Sequence, residues 1–169
     1  DSLIFIRYLF FLLFIYFWIT DDIKNLKRIL LIILICIIFV TLDTLYQFSQ
    51  YSSENGFGKD LLGFQSNWYG RLTGPFGDEL IPGAYLTRFA FLGFVFILLT
   101  LKKNKYKNIF SIMYFSLTGF AIFASGERMA LATYLMGLSF LIIFSKDNKK
   151  IFFISLIITL LFIPIIKKI

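Results

Sequence analysis

The sequence predicts an all-α chain, a polytopic bundle of about six membrane-spanning helices joined by short loops. Three observations predict it. Hydrophobic residues make up 59% of the 169 and charged residues only 16%, too few to cover the core of a water-soluble domain. The mean hydropathy is +0.82. The apolar residues also fall into six runs, each near the ~20 residues that a helix needs to cross a ~30 Å hydrocarbon core.

The first run, Ser2–Thr20, has neither a basic leader nor a small-residue cleavage site, so it reads as a span and not as a signal peptide. The chain starts directly in this run without Met, which suggests a piece cut from a longer protein. The second run is Ile29–Phe48, and a long polar segment, residues 49–81, follows it. Pro82 suits the first turn of the third span, Pro82–Leu101. The remaining three, Ile109–Ala124, Met129–Ser145 and Ile151–Ile166, are shorter and can cross with little tilt. Pro164 kinks or ends the last one. All of residues 1–169 then form a single transmembrane domain. Helices are the expected state because lipid tolerates no unpaired backbone.

Charge sets the expected orientation. A net charge of +7 raises nucleic acid as a partner, but the basic residues cluster between apolar runs and not along one soluble face. The segments 21–28, 102–108 and 146–150 hold Lys24, Lys27, Arg28, Lys102, Lys103, Lys105, Lys107, Lys146, Lys149 and Lys150. The alternate segments hold only Lys59, Arg71, Arg128, Lys167 and Lys168. The positive-inside rule puts the first set in the cytoplasm and the 49–81 loop outside. The terminal lysine pair runs against this order. Histidine is absent, which removes the commonest general base, and no Cys–carboxylate cluster offers a metal site. The lone Cys36 reads as inert packing in an apolar run.

Chemistry is expected at the outer side. The 49–81 loop is long for a connector, rich in Gly, polar and aromatic residues, and carries the carboxylates Asp60, Asp78 and Glu79. These three read as solvated or loop-folding groups. Arginines concentrate here as well: Arg7, Arg88 and Arg128 stand in the first two turns of the first, third and fifth spans, and Arg71 stands in the loop. A cation at a helix N-terminus opposes the macrodipole, yet exposed N–H groups with a guanidinium can bind an anion. Snorkelling to lipid phosphates is the plainer reading, weakest for Arg128 in the very short Ser125–Arg128 hairpin. Glu127 either orients Arg128 or softens the charge at its helix start. Asp43, Tyr46, Gln47 and Gln50 share one helix face, a polar stripe expected to face the bundle interior or a wet cavity.

Several of these residues resemble the O-antigen ligase and polymerase superfamily. They are Leu42-Asp43-Thr44-Leu45-Tyr46-Gln47, then Gly58, Asp60 and Gly63, then Arg71-Leu72-Thr73-Gly74-Pro75-Phe76-Gly77-Asp78-Glu79, and the hairpin Ser125-Gly126-Glu127-Arg128. The resemblance implies a GT-C-like glycosyltransferase of the bacterial inner membrane with a periplasmic active face. It also implies a donor glycan carried on undecaprenyl diphosphate. The acceptor is a lipid A–core sugar for a ligase and another repeat unit for a polymerase. Carried over by motif, Arg71 and Arg128 bind the diphosphate, with Arg88 as a further candidate. Asp43, Tyr46, Gln47, Gly74, Asp78, Glu79 and Glu127 support them. Such enzymes take a histidine from a later periplasmic loop, here expected beyond Ile169, and use no metal or cofactor. A transporter or flippase of lipid-linked saccharides is the alternative, and a purely structural membrane subunit the third.

Overall fold

In the computed structural model, the described residues are 22–50, 58–66, 70–101, 106–145 and 148–166, together with Leu12 and Tyr16. Apart from Leu12 and Tyr16, the expected first span, with Arg7, lies outside them. So do the loop residues 51–57 and 67–69 and the terminal Lys167–Lys168 pair. Among the described residues, five α-helices carry the fold: α1 (Ile23–Ser49), α2 (Pro82–Thr100), α3 (Lys107–Ala124), α4 (Arg128–Phe144) and α5 (Lys149–Ile166). A short 3-10 turn, Gly74–Phe76, precedes α2.

Helix boundaries depart from the apolar runs on the lysine side. α1 begins six residues before Ile29, because Asp22 caps it by accepting a 2.9 Å bond from Lys24 N. Lys24, Lys27 and Arg28 therefore occupy helical turns and not a loop, and Lys149 and Lys150 likewise open α5. Hydropathy reports what lipid tolerates, whereas lysine and arginine are good helix formers and extend a helix past its apolar part.

Among the described residues, three helices are long and apolar enough to cross a membrane, not six: Lys24–Ser49, Pro82–Thr100 and Lys107–Ala124. α4 is a shorter apolar helix of 17 residues. At 1.5 Å per residue that is roughly 26 Å, just under the hydrocarbon thickness.

α2 and α3 form the centre. α1 lies against both, α4 touches α2 and α3, and α5 covers α3 and α4. The core is read off helical spacing: Leu86, Ala90, Phe94 and Ile97 of α2 meet Phe115 and Ile122 of α3 and Tyr134 and Leu138 of α4. Rings of Phe94, Phe115 and Phe152 pack together, with centroids 4.9–5.6 Å apart. Polar groups inside the bundle find partners across helices. Tyr114 Oη donates to Ala90 O at 2.7 Å, Tyr134 Oη to Phe115 O at 2.6 Å, and Thr87 Oγ1 to Ala130 O at 3.1 Å. The outer faces show Ile32, Ile35, Met136 and Ile143, each more than half exposed. Cys36 is exposed on this side too, and is not the packed interior thiol that the sequence suggests.

Helices that follow one another in the chain pack antiparallel, so the bundle has two unlike ends. One holds the starts of α1, α3 and α5, where Lys107 Nζ donates to Asn148 Oδ1 at 3.0 Å. The other gathers the end of α1, the loop residues 58–66 and 70–81, the start of α2 and the turn between α3 and α4.

Candidate functional site

The loop end is built around α1's last turns. Gln47 is wholly buried and holds the incoming loop by three bonds. Its Oε1 accepts from Thr73 N (3.2 Å) and Gly74 N (2.9 Å), and its Nε2 donates to Thr73 Oγ1 (3.3 Å). One turn earlier, Asp43 is also wholly buried, and its Oδ1 accepts from Leu61 N at 2.9 Å. The expected polar stripe is thus half right. Tyr46 is 41% exposed, and Gln50, just past the helix end, is exposed as well. The buried arc of α1 centres on Val40, Thr44 and Gln47, and at about 100° per residue Tyr46 falls some 60° beyond Asp43, outside that arc.

Of the two expected roles for Asp60, solvated or loop-folding, the structure shows the second. Asp60 is 4% exposed and not solvated, because the 60–64 segment folds back on itself. Asp60 N donates to Phe64 O (2.9 Å), and Phe64 N donates to Asp60 Oδ1 (2.6 Å). Asp78 and Glu79 are exposed on the turn after Phe76.

The segment carrying Arg71 lies directly against the α3–α4 turn. Leu72 N donates to Ser125 O at 3.2 Å. Gly126 has φ +79°, and a Cβ there would lie 2.3 Å from Gly70 O and 3.4 Å from Arg71 Cγ. Only glycine permits this approach. The Arg71 segment is therefore set against Ser125 and Gly126, the residues just before Glu127 and Arg128, although far from them in sequence. All three arginines, Arg71, Arg88 and Arg128, have exposed side chains, and among the described residues no carboxylate lies within 4.0 Å of their guanidinium groups.

Glu127 plays a part the sequence did not suggest. It starts α4, but its side chain makes no bond to that helix. Instead Oε1 accepts from Gly83 N (2.7 Å) and Oε2 from Ala84 N (3.1 Å), capping α2 from another helix. Gly83 admits it: a Cβ there would sit 2.5 Å from Ser125 Oγ and 3.0 Å from Glu127 Oε1. The one hint in the sequence is that Ile81, the residue before Pro82, cannot cap α2 by itself. Burial pushes the Glu127 carboxyl above the usual glutamate range. The Gly83 and Ala84 amides and the Arg71 and Arg88 charges oppose that rise without cancelling it. Glu127 therefore occupies the anion-binding amides of α2, whereas no side chain caps the first turn of α4 beside Arg128.

This end of the bundle thus carries three exposed arginines: Arg71 on the segment against the α3–α4 turn, Arg128 at the start of α4, whose first turn no side chain caps, and Arg88 in the second turn of α2. An anion of two or more negative charges suits such a surface better than a neutral ligand. Among the described residues no three His, Cys, Asp or Glu side chains converge. Compared with protein-family models, with curated proteins and with solved structures, the chain matches none of them.

Proposed function

We propose that this chain forms the carrier-binding part of a polytopic membrane glycosyltransferase of the GT-C-like kind, with about six spans. It moves a glycan from undecaprenyl diphosphate to a lipid A–core sugar or to another repeat unit, at the periplasmic face of a bacterial inner membrane. The observation that carries this reading is the pairing of Arg71 with the Ser125–Arg128 turn, the two segments whose motifs resemble the O-antigen ligase and polymerase superfamily. Orientation rests on the positive-inside rule.

In the reaction, an acceptor hydroxyl forms the new bond to the anomeric carbon as the bond from that carbon to the diphosphate breaks. The diphosphate leaves with the electron pair, and its growing negative charge is what the guanidinium groups stabilise. The acceptor's proton needs a base, and none of these residues is assigned that role.

The test is Arg71→Lys and Arg128→Lys in the intact protein in its native membrane. Lysine keeps the charge and loses the two-pronged donor, so each change lowers transfer by about 10²–10³, as for other lost transition-state donors. Protein level stays unchanged. Transfer at the native rate in both variants overturns the proposal.

A further inference from the structure

The loop end holds a second polar cluster that the arginines do not use. Asp43 and Thr44 on α1 are wholly buried, and Asp60 in the loop is 4% exposed. Each keeps one oxygen without a hydrogen-bond partner: Asp43 Oδ2, Thr44 Oγ1 and Asp60 Oδ2. The other carboxylate oxygens are occupied, Asp43 Oδ1 by Leu61 N at 2.9 Å and Asp60 Oδ1 by Phe64 N at 2.6 Å. Leu61 directly follows Asp60, so the first of these bonds also brings the Asp60 segment against Asp43. Gly74 marks where two of the free oxygens, those on α1, point. A Cβ built there would lie 3.0 Å from Thr44 Oγ1 and 3.7 Å from Asp43 Oδ2.

We propose that Asp43 Oδ2, Asp60 Oδ2 and Thr44 Oγ1 bind one hard divalent cation, Ca²⁺ or Mg²⁺, which staples the 58–66 loop to α1. Buried carboxylates are paired or bind metal. No basic side chain pairs with these two: among the described residues no Lys or Arg nitrogen lies within 4.0 Å of either carboxylate, and Lys59 and Arg71 are exposed. A donor set of oxygen alone, without Cys or His, selects a hard ion, and two carboxylates balance a double charge. Water and loop carbonyls complete the shell, about six to eight oxygens for Ca²⁺ and six for Mg²⁺.

The site is separate from the arginine surface and does not depend on the glycosyl-transfer reading. Its consequence is mechanical. Gln47, one turn further along α1, holds Thr73 and Gly74, so the cation and Gln47 together anchor both halves of the loop that delivers Arg71.

The test uses the purified chain in detergent micelles, stripped with EDTA. It is titrated with CaCl₂ or MgCl₂ at an ionic strength held constant by choline chloride. Thermal unfolding is followed, and Tb³⁺ luminescence gives the stoichiometry. The expected result is a saturable upward shift in melting temperature with at least one of the two ions, at one site per chain. Asp43→Asn and Asp60→Asn each abolish the shift, and each melts no lower than the stripped native chain because a like-charge repulsion is gone. Absence of a saturable shift with both ions overturns the proposal, as does an undiminished shift in both variants. Stabilisation of the stripped chain by acid alone, with no response to either ion, assigns the pair a shared proton and overturns it equally. The native titration and the Tb³⁺ count decide the matter even where a variant does not fold.

Discussion

Replacing Glu127 by alanine removes two bonds between helices at once and leaves Gly83 N and Ala84 N at the start of α2 without acceptors. An amide stripped of its partner costs about 1–3 kcal/mol when buried. The site is only partly buried and water can reach it, so the lower half of that range applies to each, roughly 2–4 kcal/mol in all. Glu127→Gln keeps one acceptor oxygen and loses less. Thermal unfolding in micelles, with hydrogen exchange at residues 83–85, reads both effects. The pH dependence gives an independent check. The folded carboxyl binds its proton more tightly than the unfolded one, because burial raises its pKa above the ordinary 4.5. Ionising it therefore costs stability, and the native chain loses stability as pH rises from the ordinary glutamate value through the raised folded one. That decline is missing in Glu127→Gln, which has no proton to lose. If Glu127→Ala melts with the native chain and its residue 83–85 amides exchange no faster, the trans cap holds nothing and the reasoning fails.

Three further outcomes are expected. Gly126→Ala drives a Cβ into Gly70 O and strains a backbone at φ +79°, costing about 1–3 kcal/mol in unfolding experiments and freeing the Arg71 segment. Gln47→Leu cuts three buried bonds to Thr73 and Gly74, so the 58–81 loop becomes sensitive to limited proteolysis while the helices persist, at a cost of roughly 2–4 kcal/mol. In a Cys36→Ser background, an impermeant maleimide added to intact spheroplasts labels a cysteine at position 78 and spares one at position 148; labelling at 148 reverses the orientation.

The apolar runs alone determined that the described chain is helical and roughly where α2, α3, α4 and α5 lie, because lipid-compatible backbone must be helical and the runs have the right length. Pro82 at the first turn of α2, the buried face of Asp43 and Gln47, and the tight turn at Ser125–Arg128 were also legible, since each rests on local spacing. Tertiary structure decided the rest. Which way Tyr46 faces depends on where neighbouring helices place the centre of α1's buried arc, and sequence periodicity leaves that centre free within about a residue. Asp60 is buried only because its turn folds onto α1. Glu127 caps α2 and not its own helix because Gly83 and Gly126 let two turns approach to contact, a long-range fact with no local signature. Arg71 meets the hairpin for the same reason: a hydrogen bond from Leu72 to Ser125 joins segments that only the packing of α1, α2 and α3 brings to one end of the bundle.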